Sequence, residues 1–207
     1  MCAATLALPE GTAQKTVDQI VALVNGEVIT RSDLIWSLAL DPKAPDPSGQ
    51  INSDILQQKL EVIIDERLIA QEAEKLPAAE VSQGEIEQAV LALKSSFQTE
   101  EEFQRRVESV GLTAERISEM MRQRILIKRF IDFRFRSFVL VSEEEVRSYY
   151  EEKLAPEIRK RGAEPPQLDK IRGDIVALLK EQKVNVEIDR WLREIRQRAE
   201  IFILAEP

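Results

Sequence analysis

The sequence predicts a mainly α protein, a multi-helix core with a small β-sheet formed by an N-terminal hairpin and a C-terminal strand. Three observations carry this. Ser82/Glu85, Thr99/Glu102 and Ser142/Glu145 each have capping-box spacing ahead of apolar residues at helical intervals. Asn25-Gly26 separates two short β-type runs, and the pair suits the two positive φ angles of a type I′ turn. A final β-type run, Glu200 to Leu204, follows the last helical stripe.

Taken in order, residues 1–16 show no periodicity and read as a flexible N-terminal segment. Asp18 to Val24 alternates in part, and Glu27 to Ile29 is the return strand of the hairpin. Thr30 then caps a short helix, with Asp33 in its first turn and Leu34, Ile35 and Leu38 facing inward. Asp41 to Asn52 carries three prolines and one glycine and is expected to be a mobile loop. Ser53 opens a long helix, marked by Leu56, Leu60, Ile63, Ile64 and Leu68, and Pro77 ends it.

The Ser82 helix puts Ile86, Val90, Leu93 and Phe97 on one face. The Thr99 helix does the same with Phe103, Val107 and Val110, and Gly111 is its C-cap. Thr113 starts another long helix through Ile117, Met121 and Ile125 into the region 130–138, which bends before Ser142. Residues 17–156 thus read as one helical region, and 157–167, with Gly162 and Pro165-Pro166, as a linker. Residues 168–207 form a long helix and strand completing the core. Its stripe runs through Leu168, Ile171, Ile175 and Leu178 or Leu179, slips in phase near Gln182, and resumes at Ile188, Trp191 and Ile195. The last strand is expected to pair with the hairpin, since two strands alone are marginal.

Composition excludes much. The chain has 207 residues, net charge -8, one cysteine and no histidine. Histidine-dependent triads and metal sites are therefore ruled out, as are an internal disulfide and a CxxC site. The seven glycines fit no phosphate loop, no cofactor is implied, and the acidity argues against a nucleic-acid partner. No stretch approaches the ~20 apolar residues of a membrane-spanning helix. Ala3 to Leu8 is apolar but short for a signal peptide, which suggests a trimmed start. Cys2 then reads either as an acylated first residue or as an incidental cysteine, the plainer of the two.

Four stretches carry a family likeness: V-D-Q-I-V-A-L-V-N-G-E-V-I-T, L-E-V-I-I-D-E-R-L-I-A-Q-E-A, S-E-E-E-V-R-S-Y-Y and W-L-R-E-I-R-Q-R-A-E-I-F-I. In order and spacing they resemble the chaperone core of the SurA, PpiD and PrsA-type periplasmic proteins, over roughly 17–204 apart from 41–52 and 157–167. The resemblance implies an N-terminal helical region folded together with a C-terminal helix and strand, with a parvulin prolyl isomerase inserted between them. Here only the short Leu154 to Gln167 connection stands at that place, and histidines are missing. The implied function is an ATP-independent, periplasmic or otherwise exported holdase for unfolded or nascent exported polypeptides, outer-membrane proteins among them, without isomerase activity. The competing reading is a scaffolding module that docks one dedicated partner, or a homodimer formed by arm exchange through the two connecting segments.

Candidate client contacts are Phe130, Phe133, Phe135 and Phe138, with Met120 and Met121 as adaptable neighbours and Trp36 beside them. The plainer reading makes the phenylalanines core residues at a helix junction. Trp191 sits on the last stripe and reads as a core anchor. The arginines and lysines of 122–136 read as a solvated face rather than a nucleic-acid footprint. The acidic triplets Glu100 to Glu102 and Glu143 to Glu145 complement helix N-termini and make no catalytic case.

Overall fold

Asn25 and Gly26 adopt φ of 51° and 84°, the pair of positive angles that closes a two-residue hairpin. The hairpin joins β1 (Ile20–Val24) to β2 (Glu27–Thr30). A third strand, β3 (Ile201–Ile203), adds antiparallel to the other side of β1, giving the order β2-β1-β3. This computed structural model describes residues 18–49, 51–76 and 80–207. The expectations for residues 1–16, Cys2 and Pro77 fall outside them.

The mainly α architecture with a small sheet is as the sequence predicts. Thr30 and Asp33 form a capping box at the start of α1 (Arg31–Ala39). Asn52 caps α2 (Ser53–Glu74), its side-chain oxygen accepting from the Asp54 N–H at 2.7 Å. The Ser82–Glu85 box opens α3 (Gln83–Ser95). At α4 (Glu100–Ser109) the box is displaced: Thr99 accepts from the Glu102 N–H, but the Glu102 carboxylate accepts from Gln98. Gly111, at φ +62°, follows its end. Next come α5 (Ala114–Ile131) and a π-helical turn, Asp132–Arg136, the bend expected before Ser142.

Beyond the bend, Ser142 and Glu145 box the start of α6 (Glu143–Tyr149). A second π-turn (Tyr150–Leu154) leads into α7 (Ala155–Lys160), so a short helix occupies part of 157–167. The Tyr150 hydroxyl donates to the Pro166 carbonyl at 2.8 Å and ties down the rest of that connection. The last helix, α8 (Leu168–Arg196), is continuous through the phase slip.

Three apolar clusters share their helices. The first joins the hairpin, α1 and α2 to Ile195 of α8. The second packs Leu40 against α3, α4 and α5. The third joins the end of α2, α5, the first π-turn and Val184. Arg196 fixes α8 to α2, donating to Asp65 at 2.6 Å and to Glu61 at 2.9 Å. Burial alone would lower its pKa, but bonds to these carboxylates outweigh that and raise it.

The segment 41–52 is anchored in its first half. The Arg106 side chain is buried and donates to the carbonyls of Leu38, Ala39, Asp41, Ala44 and Pro45.

Candidate functional site

A π-turn inserts one extra residue into a helical turn and so rotates everything after it. Here the Ser137 N–H and hydroxyl both reach back to the Asp132 carbonyl, at 3.1 and 2.9 Å. The rotation sends Phe135 inward and leaves Phe133 and Phe138 61% and 76% exposed. After Ser137 the chain leaves the helix and runs alongside α8, where Lys183 donates to the Leu140 carbonyl at 2.8 Å. Leu140 is 82% exposed.

Between this segment and α8 lie two adjoining clefts that share Val139 and Glu187. One, of about 390 Å³, is lined by Phe135, Phe138 and Trp191, with Arg134 and Arg190 at its rim. The other, of about 580 Å³, is lined chiefly by Leu140, Leu179 and Val186. Phe130, Phe135 and Trp191 form the aromatic wall beneath, with ring centroids 5.3 to 6.2 Å apart. The Arg134 guanidinium lies 5.9 Å from the Phe135 ring centre.

The charges around the groove largely answer one another. Arg190 pairs with Glu187 at 3.0 Å, Lys183 with Glu145 at 2.6 Å, and Arg136 makes a forked pair with Glu181. The Lys183 ammonium, with the bonds from Ser142, holds the Glu145 carboxyl below its ordinary pKa. What remains is an open groove, mainly apolar along the Leu140 cleft and more mixed at the Phe138 cleft, where Arg134, Glu187, Arg190 and Glu194 join the lining. Its exposed apolar side chains could shield large side chains of another polypeptide.

The structure divides the sequence-derived candidates. Phe135 and Phe138 meet at the groove, while Phe130 is buried behind it. Phe133 is exposed but lines neither cleft. Met121 is buried in the second cluster, and Met120 and Trp36 are half-buried against it. The Trp36 indole N–H donates to the Val110 carbonyl at 3.2 Å, and Arg116 lies over its ring. Much of the basic run is engaged in ion pairs, Lys128 with Asp132 and Arg129 with Glu85 among them.

Sequence reasoning passed over Val139, Leu140 and Val186. The signal was the phase slip near Gln182. Around that point α8 meets both α6 and the π-turn, Lys183 pairing with Glu145 and Glu181 with Arg136, and Leu179 and Val186 on either side line the second cleft. Among the described residues no helix is long and apolar enough to cross a membrane, and no group of three acidic or cysteine side chains could hold a metal ion.

No family model matches the chain. Over 138 residues it is 29% identical to the Chaperone SurA of Ralstonia nicotianae, covering 64% of this chain and 27% of that protein. Over 143 residues it is 27% identical to the Chaperone SurA of Cupriavidus pinatubonensis, covering 67% of this chain and 28% of the relative. The matched stretch thus spans little more than a quarter of these curated relatives, and the similarity supports a SurA-like relationship and a chaperone-type function.

Proposed function

We propose that the chain is an ATP-independent holdase that shields apolar segments of unfolded exported polypeptides, outer-membrane barrel proteins among them, in the periplasm. The observation that carries this is the open groove along α8, where Phe138 and Leu140 stand exposed beside an aromatic wall. Large apolar side chains left in water gain about 25 cal/mol per Å² when a client covers them. A groove with few fixed polar contacts accepts many sequences weakly. The SurA-like relationship supports the same reading. Prolyl isomerisation is no part of the proposal, because a parvulin-type site uses histidines and the chain has none.

The test is light scattering of an unfolded outer-membrane barrel protein diluted with and without the chain, beside a proline isomerisation assay. Suppressed aggregation without faster isomerisation is expected. Replacing Phe138 and Leu140 together by serine should markedly weaken suppression and leave the melting temperature nearly unchanged, since exposed positions cost within ~0.5 kcal/mol. Phe130→Ala, in the buried wall, should instead cost ~3–5 kcal/mol of stability. Full suppression by the Phe138/Leu140 double variant would remove the groove from the mechanism. Failure to protect any unfolded client would favour a scaffold for one dedicated partner.

A further inference from the structure

Among the described residues, the three-stranded sheet leaves one edge open in a chemically specific way. The Leu204 N–H donates to the Val21 carbonyl at 2.9 Å, and the Asn25 N–H donates to the Glu200 carbonyl at 2.8 Å. In an antiparallel ladder the bonded positions alternate, so Glu200, Phe202 and Leu204 face β1. The N–H and C=O groups of Ile201 and Ile203 therefore point away from the sheet, at an edge that no other strand covers among the described residues.

The opposite edge is different. There only Val28 turns its backbone outward within β2, and the strand stops at once in the Thr30 cap, whose N–H donates to Asp33. The β3 edge also lacks the usual guards: from Ile201 to Leu204 it has no charge, no proline and no bulge. Phe202 and Leu204 are more than half exposed beside it.

We infer that the edge of β3 is a second client site, which takes an extended polypeptide segment as a fourth strand of the sheet. The backbone groups name the occupant. Donors and acceptors repeating at every second residue are matched by the backbone of another extended segment. Alternate side chains of the incoming strand then lie over Phe202 and Leu204. Backbone pairing is indifferent to sequence, as a holdase requires, and the short edge keeps it weak. The inference rests on the holdase reading, to which it adds a binding mode separate from the α8 groove.

The test uses a soluble peptide, acetyl-Lys-Thr-Val-Thr-Tyr-Thr-Val-Lys-amide, and the same peptide N-methylated at alternate residues along one edge, titrated against the full chain by fluorescence anisotropy. Methylation keeps charge and side chains but removes the edge donors, so it should weaken binding on the order of tenfold. Ile203→Pro, which removes an outward N–H without touching the β1 pairing, should do the same. The methylated peptide carries the test if that variant disturbs the sheet. The Phe138/Leu140 double-serine variant should bind both peptides as the parent does. Equal binding of the two peptides, or no binding, overturns the inference. Self-association that Ile203→Pro abolishes, with no peptide binding, would assign the edge to a second copy and overturn it as well. Aggregation suppression without peptide binding would leave the holdase standing and remove the edge; peptide binding without suppression would do the reverse.

Discussion

Arg106 is the one charged side chain that is buried among the described residues. It is 3% exposed, and its guanidinium serves five backbone carbonyls between Leu38 and Pro45 without a carboxylate partner. The planar fork matches that cluster, and a point-charge ammonium does not. Arg106→Met keeps the length but strands the carbonyls, at a cost of ~3 kcal/mol. For a chain of this size that lowers the melting temperature by roughly 6–12 °C. Arg106→Lys should recover little of it. A drop of less than about 2 °C in circular-dichroism melts would mean that the loop is held by other contacts. The residue was hidden in the sequence. It follows Arg105 in a charged helix, where a long cation normally snorkels to water. Its place on the Phe103–Val107–Val110 face was the one sign of burial, and pattern alone cannot tell a buried clamp from a snorkelling arginine.

At the scale of elements, legibility followed local chemistry. Thr30, Ser82, Thr99, Thr113 and Ser142 all cap helices, and Asn25-Gly26 makes the hairpin, because these signals act within four residues. The π-turns and α7 were not legible, since an inserted residue has no strong local preference to announce it; the first π-turn packs against α8 and the second between α6 and α7. The caps carry a pH dependence. Hydrogen bonds from the Ser82 hydroxyl and N–H, then the Arg129 guanidinium, hold the Glu85 carboxyl down to about 2, against an ordinary 4.5. A depressed carboxyl stabilises the fold above its unfolded pKa, and that contribution fades as pH falls through the folded one. The parent should therefore melt above Glu85→Gln at neutral pH, with the gap narrowing between pH 4.5 and about 2. A gap undiminished at the acid end of melts run across that window would contradict this origin.

For the whole molecule, the question is whether its charge or its apolar groove captures clients. The net charge of -8 creates a field that favours basic clients at low salt. At the groove, however, Arg190 answers Glu187, Lys183 answers Glu145, and Arg136 answers Glu181. Paired charges leave little local field, and 0.1 M salt already screens distant ones beyond ~10 Å. Burial of apolar surface leaves a different mark, a negative heat-capacity change on binding. Calorimetric titration of an unfolded barrel protein at several temperatures should give that sign. Raising salt from about 0.1 to 0.5 M should change affinity by less than roughly threefold, since the screened long-range field contributes little. A steep loss of affinity with salt and no heat-capacity change would place capture in the acidic surface. The α8 groove would then be a packing feature, and the clients would be selected by their positive charge.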